Sequence, residues 1–305
     1  MSIAANSNND KTNDNNIPGL TIRPLHSALG AEVTGLDLRQ PLDETTFRAV
    51  HAAWMTHLVL VFPNQAISDA AQVAFARRFG ALEVHHQDII KSRAAPEIFR
   101  VANVDDDGNL MAPDHPSVAQ ISLAQRWHTD SSYRAIPSMG SILHGIEVTA
   151  VGGETLFTNM YKVHEALDEG TKKRLAGIRS RHNFGHLATL APVKPLTQAE
   201  REAMPPVWQP MLRRHPVTNQ TSLFISPIYN DAIEGMADDE AVELIAQLSE
   251  FVGRDEFVYR HRWTTDDIIM WDNRCTLHQV TPYDLGQRRI MHRATIIGDG
   301  PVIAA

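Results

Sequence analysis

Hydrophobic positions along the chain occur in short runs that either alternate with polar residues or stand between turn residues. Residues 58–62 are continuously apolar, which is typical of a buried strand, and Pro63 ends the run. Residues 257–263 alternate apolar and basic side chains, the period of a strand with one solvated face. Further apolar runs predict strands at residues 268–272 and 289–297, the latter as the last strand.

Apolar residues at helical spacing predict helices between these strands. Asp43 or Thr45 is expected to cap a helix that reaches His57, and Ser68 begins a second one. A third helix is predicted over residues 162–178 and a fourth over 238–252; the fourth buries Val242, Ile245, Leu248, Phe251 and Val252. Short strands with helices between them predict a mainly β fold, an antiparallel barrel with helical insertions.

Two segments and one tail lack such periodicity. Residues 1–18 have almost nothing to bury, so we predict a disordered tail followed by one domain over 19–305. Residues 105–124 and 183–210 are predicted loops. The second is long and proline-rich, which favours a mobile lid with Phe184 near its start in contact with the substrate.

Composition excludes several classes of protein. The net charge of -8 argues against a nucleic-acid surface. No stretch of about 18 apolar residues is present, which argues against a membrane span. The chain has one cysteine, Cys275, and therefore no internal disulfide, which favours a reducing cytoplasm.

The stretch from Trp127 to Asp130 carries the candidate chemistry. In an extended strand, His128 and Asp130 point to the same side, and His278 offers a second imidazole. Two histidines and one carboxylate form the facial triad of non-haem Fe(II) oxygenases, which leaves three metal positions open. Because the chain has 15 histidines, a chance His-x-Asp pair that binds no metal remains the alternative from spacing alone.

Four motifs resemble one known family: residues 127–130, 152–155, 271–278 and 287–295. They resemble the 2-oxoglutarate-dependent dioxygenases that include taurine dioxygenase and chlorophenoxyacetate dioxygenase, from about Leu20 to Pro301. The resemblance implies a double-stranded β-helix, a jelly-roll, cupin-like barrel. It also implies Fe(II) held by His128, Asp130 and His278, with 2-oxoglutarate and O2 as co-substrates, succinate and CO2 as products, and ascorbate as an aid in vitro.

The resemblance further assigns the residues that bind the two organic molecules. It implies that Thr155 and Arg289 hold the distal carboxylate of 2-oxoglutarate and that Arg293 meets an anionic substrate. Residues 289 and 293 lie on one side of a strand, although two surface arginines on an edge strand remain the alternative. The other candidate substrate contacts are Ser131, Phe184 and His85, for which a solvated loop histidine is the alternative.

The resemblance leaves the substrate open. Residues 257–263 and 270–275 are similar to the chlorophenoxyacetate enzymes, and residues 288–293 with His85 to the taurine enzymes. Taurine enzymes carry an asparagine where this chain has Ala124. We therefore expect a small organic anion with an apolar body, either an aryloxyalkanoate-like carboxylate or an alkyl sulfonate or sulfate. The alternatives are taurine itself, a non-catalytic metal-binding barrel, and a cupin-like metalloenzyme without 2-oxoglutarate. A homo-oligomer, dimer or tetramer, is expected.

Overall fold

The computed structural model describes residues 17–84, 91–92, 94–193 and 195–305. Its strands are β1 Thr21–Pro24, β2 Ala31–Thr34, β3 Val59–Phe62, β4 Ile98–Ala102, β5 Gly140–Glu147, β6 Thr155–Asn159, β7 Arg179–His182, β8 Val207–Pro210, β9 Leu212–Arg214, β10 Thr221–Leu223, β11 Asn230–Ile233, β12 Val258–His261, β13 Ile268–Asp272, β14 Thr276–Val280, β15 Ile290–Ile296 and β16 Ile303–Ala304. Its helices are α1 Glu44–His57, α2 Asp69–Ala76, α3 Pro116–Leu123, α4 Met160–Ala166, α5 Glu169–Leu175, α6 Leu187–Leu190, α7 Gln198–Ala203 and α8 Asp238–Val252.

The barrel is built from a large sheet and a small one. The large sheet has the order β1-β2-β3-β13-β5-β15-β4, and its pairs are antiparallel except for β2 with β3. The small sheet has the order β12-β6-β14. Phe157 of β6 packs in one buried cluster with Trp271 of β13 and Met291 of β15, so the two sheets close over a common interior. The predicted jelly-roll fold is confirmed.

Strand β3 shows why its sequence is continuously apolar. Val59 and Val61 belong to the interior cluster, whereas Leu60 and Phe62 belong to the cluster that packs under α1 and α2. Because successive side chains of a strand point to opposite faces, a strand covered on both faces has no polar position. The large sheet is therefore a layer with a barrel on one side and helices on the other.

Several predicted elements differ in the structure. The single helix expected over residues 162–178 is wrong: α4 ends before Leu167, whose backbone is extended, and Asp168 caps α5 by accepting from the Thr171 N–H. The bounds of α8 are as predicted, but Val242 is 67% exposed, and Ala241 and Leu244 are buried instead. The short helix α3 lies in the predicted loop 105–124, and β16 follows the strand expected to be the last.

The segment 183–210 is not the irregular loop that its prolines predicted. It contains a 3-10 turn at Phe184–His186, the short helices α6 and α7, and strand β8. Thr197 and Glu200 form a reciprocal capping pair that begins α7. The predicted tail, except for residues 17 and 18, lies outside the described residues. Within the described part of the chain, no helix is long and apolar enough to cross a membrane.

Gly140 allows α1 to pack closely on the large sheet. A Cβ atom at this position would lie 2.6 Å from a ring carbon of Trp54 and 2.8 Å from the backbone oxygen of Trp271. We expect Gly140→Ala to lower the free energy of unfolding by about 1–3 kcal/mol, because overpacking forces neighbouring atoms apart. Urea unfolding measures this change. Gly300→Ala is the control, since among the described residues no heavy atom other than those of Gly300 and its chain neighbours lies within 4 Å of the added Cβ. Equal losses of unfolding free energy in the two variants would contradict the packing argument.

Candidate metal centre and anion sites

The structure brings His128, Asp130 and His278 together at one end of the barrel. The backbones of the two histidines pair directly, with the His128 N–H donating to the His278 oxygen at 3.0 Å and the reverse bond at 2.8 Å. Their ring centroids lie 4.1 Å apart, and Asp130 Oδ2 lies 3.9 Å from His278 Nε2. One ligand atom from each of the three residues lies within 4.8 Å of the others, so the group could hold one metal ion.

The protonation states of this group suit metal binding. Burial lowers the pKa of both imidazoles, which keeps them neutral, and the His128 Nδ1–H donates to the Arg126 oxygen at 2.8 Å, which leaves Nε2 free. Burial raises the pKa of Asp130, but the charge of Arg293, helped by the hydrogen bond from the Ser141 hydroxyl, outweighs it and lowers the pKa to about 2. Two neutral nitrogens and one carboxylate are a donor set that Fe(II) accepts.

Asp272 shapes the turn that delivers His278. It ends β13, and its carboxylate accepts from Arg274 Nε at 2.9 Å, from Arg274 Nη2 at 2.7 Å and from His215 at 3.1 Å. Cys275 also lies close enough to form a second His-Asp-Cys group. Because Arg274 already neutralises the carboxylate, we interpret this group as structural.

Arg289 lies at a second place in the barrel. It is 4% exposed, its Nη2 donates to the Gly153 oxygen at 3.3 Å, and its guanidinium lies 5.4 Å from the ring centre of Tyr283. Two residues beyond Gly153, the Thr155 hydroxyl accepts from the Trp263 indole N–H at 2.9 Å. Within the described ranges, no carboxylate lies within salt-bridge distance of Arg289. A buried guanidinium of this kind is suited to an incoming carboxylate.

Arg293 lies beside Asp130 and lines a pocket there. Its Nη1 donates to Asp130 Oδ1 at 2.6 Å, and its guanidinium lies 4.7 Å from the Phe99 ring centre. The pocket brings together the predicted residues Ser131, Phe184 and Arg293 with others that the sequence did not single out: Glu83, Phe99, Tyr133 and Tyr229. These four belong to separate segments and form no local motif. Trp263 and Tyr283 were missed for the same reason. His85 lies outside the described residues.

Comparison with known proteins decides the family. Residues 21–295 match the family described as "Taurine catabolism dioxygenase TauD, TfdA family". The chain belongs to this family. It is 36% identical over 285 residues to the alpha-ketoglutarate-dependent 2,4-dichlorophenoxyacetate dioxygenase of Cupriavidus pinatubonensis, covering 92% of this chain and 98% of that protein. It is 34% identical to the (S)-phenoxypropionate/alpha-ketoglutarate-dioxygenase of Sphingobium herbicidovorans, and the match covers 92% of this chain and 96% of that protein.

A solved structure supports the same assignment. The crystal structure of AAD-2 in complex with Mn(II) and N-oxalylglycine superposes with a TM-score of 0.84 at 35% identity, covering 94% of this chain and 99% of that chain. The protein is thus an Fe(II)- and 2-oxoglutarate-dependent dioxygenase that uses O2 and hydroxylates a small organic anion. The alternatives of a non-catalytic barrel and of a metalloenzyme without 2-oxoglutarate are wrong.

The buried pair of Asp272 and Arg274 generates a stability prediction. Asp272→Asn leaves Arg274, 2% exposed, without a carboxylate in the interior. We expect a loss of about 3–5 kcal/mol in the free energy of unfolding near neutral pH, measured by urea unfolding. The control is Asp299→Asn, because Asp299 contacts the same arginine at 3.2 Å but is 46% exposed; this change should cost less than about 1 kcal/mol.

The sign of the pH dependence follows from the same pair. Burial raises the pKa of Asp272, but Arg274 and His215 outweigh it and hold the pKa well below its usual range. A depressed pKa contributes stability above the unfolded-state value of about 4, and this contribution falls as the pH drops below it. The difference between the wild type and Asp272→Asn should therefore narrow below about pH 4. If the difference in unfolding free energy between the two proteins stayed constant with pH, the charge of the Asp272 carboxylate would not be the cause of the stabilisation.

Proposed function

We propose that His128, Asp130 and His278 hold Fe(II), that Arg289 with Thr155 binds the distal carboxylate of 2-oxoglutarate, and that Arg293 binds the anionic group of the prime substrate. The observation that carries this proposal is that the two arginines have different surroundings: Arg289 is buried beside Gly153 and Tyr283, whereas Arg293 contacts Asp130 and lines the pocket beside it. Bound iron, 2-oxoglutarate and O2 supply the oxidising power that hydroxylates the substrate and releases succinate and CO2.

The protein's residues orient the reactants and hold the charges. The Ser141 hydroxyl donates to Asp130 Oδ2 at 2.7 Å and so fixes the carboxylate beside the two imidazoles. Arg293 donates to Asp130 Oδ1 in this structure. Since a metal ion would neutralise Asp130, the guanidinium then becomes the partner of a substrate anion. Trp263 adds an indole N–H at Thr155 that limits how the hydroxyl can turn.

The pocket walls favour a substrate with an aromatic body. The ring centroids of Tyr133 and Phe184 lie 4.7 Å apart, those of Tyr133 and Tyr229 lie 4.9 Å apart, and Phe99 lies under Arg293. Aromatic side chains bind a planar apolar group well. The two relatives named for 2,4-dichlorophenoxyacetate and (S)-phenoxypropionate support an aryloxyalkanoate-like acid. Alkyl sulfonates, sulfate esters and taurine are the alternatives, although Ala124 has no polar side-chain atom for an amine.

The remaining expectations concern the whole molecule. We propose that residues 19–305 form one catalytic domain and that segment 183–210, although partly helical, is a lid, because Phe184 at its start lines the substrate pocket. Residues 1–18 remain a predicted tail, and His85 remains a predicted substrate contact. A cytoplasmic location and a homo-oligomeric state, dimer or tetramer, also stay predictions. Ascorbate is expected to support activity in vitro.

Metal binding tests the proposed centre without turnover. We expect His278→Ala to lose most Mn(II) affinity in calorimetry, because one of three ligands is removed. We also expect it to lose the visible absorption band of anaerobic Fe(II) with 2-oxoglutarate. His164→Ala, in α4, is the matched control and should keep both. Full Mn(II) binding by His278→Ala would contradict the ligand assignment. Succinate released on adding aryloxyalkanoates, alkyl sulfonates, sulfate esters or taurine then identifies the substrate class.

Alanine substitutions of Arg289 and Arg293 should weaken the binding of different molecules. Losing a partly buried charged pair costs about 2–5 kcal/mol, or roughly 30- to several-thousand-fold in affinity. Arg289→Ala should raise KM for 2-oxoglutarate and abolish turnover without prime substrate. Arg289→Lys should restore only part of the affinity for 2-oxoglutarate, because a point charge lacks the bidentate fork of arginine. Arg293→Ala should keep that uncoupled turnover and lose substrate affinity. If Arg289→Ala and Arg293→Ala raised KM for 2-oxoglutarate and KM for the prime substrate equally, the assignment of separate roles to the two arginines would be refuted. Mn(II) affinity is measured for each variant, since Arg293 also contacts Asp130.

A further inference from the structure

Glu83 joins the strand that carries Arg293 to the turn that follows Asp130. Its N–H donates to the Thr295 oxygen at 2.9 Å, and its Oε2 accepts from the Ser131 hydroxyl at 3.0 Å. The side chain is 16% exposed, and it lines the same pocket as Arg293 and Asp130. A carboxylate therefore faces the space in which the proposed function places an anionic substrate.

The carboxylate of Glu83 has spare capacity to accept hydrogen bonds. An ionised carboxylate can accept about four. Among the described residues, the Ser131 hydroxyl is the one donor at hydrogen-bond distance. Arg134 Nε lies 3.7 Å from Oε1, which is too far for a direct bond, and this Nε has no hydrogen-bond partner in the described part of the chain. Oε1 is thus an acceptor without a hydrogen bond from the described residues, in a largely desolvated place. Burial raises the pKa of Glu83, whereas the charge of Arg134 and the hydrogen bond from Ser131 oppose that rise and favour the ionised carboxylate.

The charges around the pocket decide what can bind beside Glu83. Arg293 can neutralise one anionic group, and a second anion near Glu83 would meet a like charge. An ether oxygen at the same place would set one acceptor against another and leave Oε1 unpaired, which is costly for a buried charged acceptor. An N–H or O–H group would satisfy it. The complementary ligand is therefore a monoanion that also carries a neutral hydrogen-bond donor.

We infer that Glu83 is a specificity-determining residue, which accepts a hydrogen bond from an N–H or O–H donor of the prime substrate while Arg293 binds its anionic group. This inference rests on the proposed function and changes it in one respect. It keeps an anionic substrate with an aryl body, but it favours an arylamino or hydroxyl-bearing acid over the aryloxyalkanoate ether. A site built to accept a donor rejects analogues that lack one, because its own acceptor is then left unpaired.

A purely structural role for Glu83 makes a different prediction. Ser131 has a left-handed backbone with φ of 53°, and the bond to Glu83 helps hold this residue next to Asp130. If Glu83 served only to hold that turn, its removal would weaken every substrate by the same factor. Recognition of a donor instead changes the ratio between two ligands that differ only in the donor. The ratio is therefore the quantity to measure.

Two matched pairs of ligands provide that ratio. Phenoxyacetate and N-phenylglycine differ by an ether oxygen against an N–H, and 1-butanesulfonate and 3-hydroxypropanesulfonate differ by a methyl against a hydroxyl. Dissociation constants are measured by anaerobic calorimetry on the full chain with Mn(II) and 2-oxoglutarate, so that no turnover is needed. We expect the wild type to bind the donor-bearing member of the pair it accepts roughly 10- to 100-fold more tightly.

Variants at Glu83 test whether this residue causes the preference for the donor-bearing ligand. Glu83→Met, similar in length and apolar, should reduce the ratio to within about threefold. Glu83→Gln, which can present an amide N–H, should reduce or reverse the ratio for the ether pair. Glu97→Gln is the matched control, because Glu97 lines the same pocket but is engaged by Arg77; it should keep the wild-type ratio.

The possible results separate this inference from the proposed function. A wild-type ratio near one, or a ratio that Glu83→Met leaves unchanged, overturns the role of Glu83 while the dioxygenase assignment stands. Equal loss of both members of a pair in Glu83→Met also overturns it, in favour of the structural role. If none of the four ligands binds the wild type, the proposed substrate class fails, and the inference fails with it.

Discussion

Asp130 is a buried negative charge, and the mouth of the barrel is organised around compensating it. Removing a carboxylate from water is costly unless opposite charge and hydrogen bonds replace the lost hydration. Here the Ser141 hydroxyl, the Arg293 guanidinium and two neutral imidazoles surround it. A divalent metal ion bound to the same carboxylate would take over this compensation, and Arg293 would then be free for a second anion. The arrangement thus couples metal binding to the pocket in which the substrate is proposed to lie.

Two arginines with different surroundings lie in and just before strand β15. Arg289 precedes the strand and contacts Gly153, whereas Arg293 lies within it and contacts Asp130. Residues four apart in a strand are separated by roughly 13 Å, too far to grip one small carboxylate together. Between them in the sequence, Met291 is fully buried in the barrel interior with Phe157 and Trp271. The proposed function therefore assigns each arginine its own anion.

The positions of the candidate metal ligands depend on the packing behind them. Trp271 and Phe157 contact the His278 ring, with ring centroids 4.8 and 6.1 Å away. Asp272, held by Arg274 and His215, sets the turn between β13 and β14. These residues are not among the three candidate metal ligands, yet they limit how far His278 can move. A site that must hold several reactants in one geometry benefits from such support.

The sequence by itself determined the elements whose pattern is local. The cap at Asp43, the bounds of α8 and the doubly buried strand β3 follow from residue spacing, because helix and strand periods act over a few residues. The chemistry expected of His278, Arg289 and Arg293 came from motifs rather than from periodicity.

Only the tertiary structure decided what meets across the chain. It broke the predicted helix 162–178 at Leu167, gave segment 183–210 its helices, and turned Val242 to solvent. It also placed Glu83, Tyr133 and Tyr229 beside Arg293, and Trp263 beside Thr155. These contacts join residues far apart in the chain. They depend on which strands pair and which faces pack, and a local pattern of hydrophobic residues does not predict either.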